Sequence, residues 1–135
     1  MGFDPRRFDN FREKGVDGIR RYDIVKQLYQ PIPRKIIIEP NLVKYARKYF
    51  DCPSLEGVPL QASAGEGSDD AHWLFESLAD EIMAPYDTFI MQKLSMFTLI
   101  LLNSTGWWDV ESKEDGMTWG KGKGCAFLEI NNITK

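Results

Sequence analysis

The sequence has one histidine, two cysteines and no long hydrophobic run. A site built from two or three imidazoles needs more histidine, so this chain alone cannot form one. Its longest apolar stretch, Met96 to Leu102, is interrupted by Thr98. That is far short of the about 20 apolar residues that cross a bilayer. The first residues also lack the basic start and apolar core of a signal peptide. We therefore expect neither a membrane-spanning segment nor a signal peptide within this chain.

Basic residues are too few and too scattered for a nucleic-acid footprint. Seventeen Lys and Arg oppose twenty Asp and Glu, which gives a net charge of −3. We therefore expect no nucleic-acid partner. With 43% hydrophobic and 27% charged residues, the composition is that of a globular domain. No internal repeat or linker interrupts the 135 residues, so we predict a single unit over 1–135 with its own core.

Two longer helices are predicted from hydrophobic periodicity. After Glu39-Pro40, apolar residues recur at helical spacing over residues 40–50, with basic side chains on the other face. Residues 94–104 are apolar on most sides, which predicts a buried helix that ends at Gly106. We expect the apolar faces of both helices to pack together with Trp107, and core packing to be the role of the tryptophans that follow.

The rest of the chain predicts short elements and irregular loops. Asp4-Pro5 is typical of a short helix start, and residues 22–29 suggest a second short helix before Pro31. The β-branched triplet Ile36-Ile37-Ile38 predicts one short buried strand, and residues 52–70 are rich in glycine and proline. The expected fold class is therefore mainly α with irregular loops and little sheet.

The two cysteines, Cys52 and Cys125, leave three interpretations open from the residues alone. They are free buried thiols, metal ligands or one disulfide, and no C-x-x-C spacing supports a metal. The glycines of residues 120–124 alternate with lysines and do not match a phosphate-binding loop. We interpret that run as a turn that positions Cys125.

A lone histidine is more often structural than functional, but His72 is accompanied by a series of short sequence words. In chain order these words are Phe50-Asp51-Cys52-Pro53-Ser54-Leu55-Glu56-Gly57-Val58-Pro59-Leu60, His72-Trp73, Glu81-Ile82-Met83, Thr98-Leu99, Gly106-Trp107 and Trp119-Gly120-Lys121-Gly122-Lys123-Gly124-Cys125. Over residues 40–128 they resemble the C-terminal part of the catalytic region of leishmanolysin-like zinc metallopeptidases. These enzymes are the surface-protease branch of the metzincins.

The resemblance implies a C-terminal metzincin lobe and a role for several residues. His72 would be the third zinc ligand, and Met83 would be the methionine of the turn beneath the metal. Cys52 and Cys125 would pair in a disulfide, which implies passage through an oxidising compartment. The implied cofactor is Zn²⁺ and the implied substrates are polypeptides. The implied location is the secretory pathway, the cell surface or the extracellular space, with the membrane association and cell adhesion that go with it.

Met1-Gly2-Phe3 resembles the end of the motif H-E-x-x-H-x-x-G-F, with Gly2 as its glycine. Both helix histidines and the glutamate base would then lie upstream, so no catalytic base is expected within the chain. One hypothesis is a fragment of a zinc metalloendopeptidase that is inactive by itself. The alternative is a catalytically dead truncated copy that acts as an interaction module. The partner surface of such a module would include Glu76, Glu81, Trp107, Trp108 and Trp119.

Overall fold

The computed structural model describes residues 3–10, 24–29, 33–62, 69–85, 92–111 and 116–130. Met1, Gly2 and most of the glycine- and serine-rich segment before His72 lie outside these ranges. In chain order the elements are a 3₁₀ helix (Pro5–Asn10), β1 (Val25–Leu28), β2 (Arg34–Ile37), α1 (Pro40–Phe50), β3 (Val58–Pro59), α2 (Met96–Ser104) and α3 (Gly124–Ile130). The short helix predicted at Asp4-Pro5 is therefore confirmed, as a 3₁₀ helix.

Three antiparallel strands form a sheet in the order β1-β2-β3. The expectation of a mainly α fold with little sheet is therefore wrong, and the described residues form a small mixed fold. The error lies mostly in residues 22–29, which were expected to be helical. Val25 pairs with Ile37 and Leu28 pairs with Arg34, so β1 is held by a neighbouring strand. Such cross-strand pairing overrides a weak local helical preference.

Helix α1 begins and ends through contacts that its sequence provides. The Glu39 carboxylate accepts a hydrogen bond from the Leu42 N–H at 2.8 Å, and Pro40 occupies the first turn without a missing donor. At the other end, Asp51 adopts a left-handed conformation with φ 57°. The apolar face is buried against the core, as the periodicity predicts.

Helix α2 lies across α1 and is the most apolar element of the core. Ser95 caps it, so the helix starts at Met96, two residues later than the sequence suggests. Gly106 follows with a positive φ of 75°, the conformation expected where a helix ends. Within the core, the Phe97 ring lies 5.1 Å from the Tyr49 ring and 6.5 Å from the Trp73 ring.

The burial of the tryptophans differs from the prediction. Trp73 is fully buried in the core, whereas Trp107, Trp108 and Trp119 remain 38%, 49% and 38% exposed. Trp107, which was expected to pack with the apolar faces of both helices, is therefore not buried in the core. It lies just after the Gly106 turn, where the chain leaves the helix pair.

A turn and a disulfide attach the last helix to the end of α1. Gly120, Gly122 and Gly124 all have positive φ, which glycine adopts without a steric cost. The Gly122 N–H donates to the Tyr49 carbonyl at 2.8 Å. Cys125, in the first turn of α3, is joined to Cys52 by a disulfide. The run of residues 120–124 therefore positions Cys125, and α3 itself was not predicted.

Truncating α2 tests its place in the core. Leu101 is fully buried, so we expect Leu101→Ala to lower the free energy of unfolding by about 2–5 kcal/mol. Leu99 is only partly buried, so Leu99→Ala provides a matched control with a smaller loss. Urea denaturation of both variants measures the difference. Equal losses, or none at Leu101, would contradict this packing.

Removing the disulfide tests how much it restrains the chain. The two cysteines are 73 residues apart, so the bond closes a long loop and its loss should cost about 4 kcal/mol on the chain-entropy model. The double variant with Cys52→Ser and Cys125→Ser avoids a free thiol. Its urea midpoint should match that of the reduced wild-type chain. A midpoint equal to that of the oxidised wild-type chain would show that the bond contributes nothing.

Candidate functional site

The structure brings together His72 and Met83, which are separated by eleven positions in the sequence. The His72 Nδ1 lies 3.2 Å from the Met83 carbonyl oxygen. The N–H of Trp73 donates to the same oxygen at 3.1 Å. A carbonyl oxygen can only accept hydrogen bonds, so Nδ1 must be the protonated nitrogen. In the neutral ring, the lone pair is therefore on Nε2.

The second ring nitrogen is available for a metal. The His72 side chain is half-buried, and its Nε2 has no hydrogen-bond partner in the described part of the chain. A histidine that ligates a metal through one nitrogen usually donates the other N–H to a carbonyl or carboxylate. His72 therefore fits a zinc ion as one ligand.

Further ligands are not found beside it. Among residues 3–10, 24–29, 33–62, 69–85, 92–111 and 116–130, no group of three His, Cys, Asp or Glu side chains is placed to hold a metal. Of the neighbouring acidic residues, Asp70 forms an ion pair with Lys35, with 2.8 Å between Oδ2 and Nζ. The described residues supply one imidazole and not a complete metal site.

Backbone hydrogen bonds attach the His72 segment to the end of the sheet. The Gln61 N–H donates to the His72 carbonyl at 2.9 Å, and Leu60 forms an antiparallel bridge with Trp73. Leu60 directly follows β3, and its N–H donates to the carbonyl of Lys35 in β2. The sheet, of which only one short strand was expected from the sequence, therefore positions the candidate ligand.

Glu81, two residues before Met83, has a fully buried side chain. Its Oε1 accepts hydrogen bonds from the Ser95 N–H at 3.1 Å, the Ser95 hydroxyl at 2.8 Å and the Thr98 hydroxyl at 2.6 Å. Its Oε2 accepts from the Met83 N–H. Burial raises the pKa of the Glu81 carboxyl, and the hydrogen bonds from Thr98, Met83 and Ser95 act in the opposite direction.

These contacts close a ring of hydrogen bonds, and the candidate ligand His72 is attached to that ring at the Met83 carbonyl. The Trp73 indole N–H donates to the Thr98 hydroxyl oxygen at 2.9 Å, and that hydroxyl donates to Glu81. Glu81 accepts from the Met83 N–H, and the Met83 carbonyl accepts from Trp73 and His72. Both residues of the His-Trp pair are thereby connected to one carboxylate.

Glu81 was expected on a partner surface, and that expectation is wrong because the side chain is fully buried. Its role and that of Thr98 were missed from the sequence. The only available signal was that both residues lie within words that carry the family resemblance, Glu81-Ile82-Met83 and Thr98-Leu99.

Within the described residues, none of the helices has the length and hydrophobicity required to span a bilayer.

Comparison with known proteins supports the interpretation of these words. The family model for leishmanolysin matches residues 1–135. A leishmanolysin-like peptidase of Drosophila pseudoobscura pseudoobscura is 37% identical over 93 residues, covering 68% of this chain and 14% of that protein. One from Caenorhabditis briggsae is 35% identical over 97 residues, covering 70% and 14%. A leishmanolysin homolog of Crithidia fasciculata is 30% identical over 105 residues, covering 74% and 16%.

The match of the family model over the whole chain indicates the metallopeptidase class. The chain belongs to the leishmanolysin family. It spans about one-seventh of the length of the curated relatives named here.

The hydroxyl bridge between Trp73 and Glu81 can be tested by substitution. Thr98→Val keeps the volume but leaves the buried indole N–H unpaired, so we expect a loss of about 1–3 kcal/mol in the free energy of unfolding. Thr98→Ser retains the hydroxyl and should lose less. Chemical denaturation compares the two. A Val variant as stable as the Ser variant would show that the bridge is not important for the fold.

Proposed function

We propose that this chain forms part of a zinc metalloendopeptidase, with His72 as one zinc ligand and Met83 in the turn beneath the metal. The supporting observation is the hydrogen bond from the His72 Nδ1 to the Met83 carbonyl. It leaves the lone pair of Nε2 available to coordinate a metal. Membership of the leishmanolysin family supports zinc as the metal and polypeptides as the substrates.

The chain supplies only some of the chemical groups that peptide hydrolysis requires. Zinc, when bound, acts as a Lewis acid that lowers the pKa of water to about 7 and polarises the peptide carbonyl. His72 contributes a neutral nitrogen donor, and the Met83 carbonyl fixes which of its two nitrogens is protonated. Glu81 is not a candidate for the base that removes the proton from water, because it is buried and its oxygens accept hydrogen bonds from the protein.

The remaining chemical groups must come from other residues of the polypeptide. With one histidine, residues 1–135 contain no H-E-x-x-H, and a catalytic zinc site requires three protein ligands. We therefore propose that the two further histidines and the glutamate base precede Gly2 in a longer protein. We also propose that the protein passes through an oxidising compartment, an inference that the Cys52–Cys125 disulfide supports.

Zinc content and peptidase activity test this proposal directly. The 135-residue chain should retain no stoichiometric zinc after dialysis and should cleave no peptide, because a single imidazole cannot hold the metal. A longer polypeptide with an H-E-x-x-H segment joined ahead of Gly2 should bind one zinc per chain and hydrolyse peptides. His72→Ala in that protein should abolish both. Elemental analysis and a quenched fluorescent peptide library measure the two properties.

Two controls make the result specific. Trp108→Ala changes an exposed side chain and should leave zinc content unaffected, so a loss there would point to general misfolding. A longer protein in which His72→Ala retains full zinc and full activity would contradict the assignment of His72. Tight zinc binding by the 135-residue chain alone would contradict the proposed division of ligands.

The exposed tryptophans favour a second candidate function, that of an interaction module without catalysis. Trp107 and Trp108 are adjacent and partly exposed, and Glu76 is exposed as well. Large exposed aromatic side chains are more typical of contact surfaces than of a solvated face. Under this alternative, the longer protein with H-E-x-x-H remains inactive, and substitution of Trp107 and Trp108 affects partner binding without altering the fold.

A further inference from the structure

Glu81 is connected to the candidate zinc ligand by two separate paths. Along the first, its Oε2 accepts from the Met83 N–H, and the carbonyl of the same Met83 accepts from the His72 Nδ1. Along the second, its Oε1 accepts from the Thr98 hydroxyl, which in turn accepts from the indole of Trp73, the residue that follows His72.

The two paths restrain the His72 imidazole and the residue that follows it. The first fixes the carbonyl to which the imidazole donates, and the second fixes the neighbouring residue from the side of α2. The Trp73 N–H closes the arrangement by donating to the Met83 carbonyl. A carboxylate can hold both paths together because each of its two oxygens accepts hydrogen bonds. The donors here are the N–H groups of Met83 and Ser95 and the hydroxyls of Ser95 and Thr98.

We propose that Glu81 is a positioning residue that holds the His72 imidazole in the Nδ1-protonated tautomer, with Nε2 available for zinc. The use of Nε2 for zinc rests on the proposed function, whereas the effect of Glu81 on the tautomer is argued from the hydrogen bonds alone. Partners that orient a ligating histidine affect metal affinity by about 10- to 100-fold in other metalloproteins.

Glu81→Gln tests the proposal because it replaces one of the two acceptor oxygens by an NH₂ donor. Three donors face Oε1 and one faces Oε2, so the amide oxygen of glutamine takes the Oε1 position. The NH₂ group then faces the Met83 N–H, and two donors oppose each other. The Met83 turn should shift, and the carbonyl that holds the His72 Nδ1 should move with it.

The single histidine makes the measurement direct. In the oxidised 135-residue chain with ¹⁵N-labelled histidine, every imidazole signal comes from residue 72. We expect the neutral wild-type ring to show the Nδ1-protonated tautomer, because the Met83 carbonyl can only accept a hydrogen bond. In Glu81→Gln, the Nε2-protonated form should become the main species.

The matched control is a second buried carboxylate. Glu39 is 1% exposed and accepts from the Leu42 N–H at 2.8 Å, but it caps α1 and is not part of the ring of hydrogen bonds to which His72 is attached. Glu39→Gln should reduce stability and leave the tautomer unchanged. Retention of the Nδ1-protonated form in folded Glu81→Gln would overturn the proposal, as would an equal change in Glu39→Gln.

Two further measurements keep the test decisive. If Glu81→Gln fails to fold, Thr98→Val breaks one of the two paths and should shift the tautomer in the same direction by less. An unchanged tautomer in that variant would also overturn the proposal. In the longer protein with H-E-x-x-H, competition with a zinc chelator should show about 10- to 100-fold weaker binding for Glu81→Gln. If the longer wild-type protein binds no zinc, the proposed function fails, and the tautomer result alone decides this inference.

Discussion

The hydrogen bonds of the buried Glu81 carboxylate hold the Met83 turn and the start of α2 together, and the geometry around His72 depends on them. Burying a charged group away from water is costly unless donors replace the lost hydration. Here two backbone N–H groups and two hydroxyls do so, and they come from the Met83 turn and from the start of α2. Because the Met83 turn is irregular in conformation, the carboxylate replaces there the regular hydrogen bonding that a helix or a strand would have supplied.

The sheet and the disulfide complete this arrangement from the other sides. Leu60, directly after β3, is bridged to Trp73, so the His72 segment continues the sheet toward Glu81. The Cys52–Cys125 bond holds α3 against the end of α1, far along the chain from that bridge. The His72 segment, which has little regular secondary structure, is thus held by its bridge to Leu60 and by the hydrogen bonds to Glu81.

Local signals in the sequence were sufficient for some elements and not for others. Helix α1 was predictable because its cap, its proline and its apolar period all lie within residues 39–50. Strand β1 was missed because its conformation is set by pairing with β2, and four-residue segments carry little preference of their own. The exposure of Trp107 was also missed, because hydrophobicity alone does not determine whether a residue that follows a helix turns inward.

The candidate site shows the same division. His72 and Met83 were singled out by resemblance to a family, and no spacing rule would have paired them. The position of Glu81 in the core depends on contacts with residues fourteen and seventeen positions away, Ser95 and Thr98. Such a network is invisible in one sequence, since a glutamate is normally expected at the surface.

The proposed role of His72 is to contribute a nitrogen to a zinc site that is completed by residues outside this chain. Zinc X-ray absorption of the longer protein with H-E-x-x-H counts such nitrogens. The account predicts three imidazoles at about 2.0–2.1 Å from the metal in the wild-type protein. His72→Ala should retain no stoichiometric zinc after dialysis, and zinc loaded from excess metal should show only two imidazoles. Three imidazoles in both proteins would contradict it.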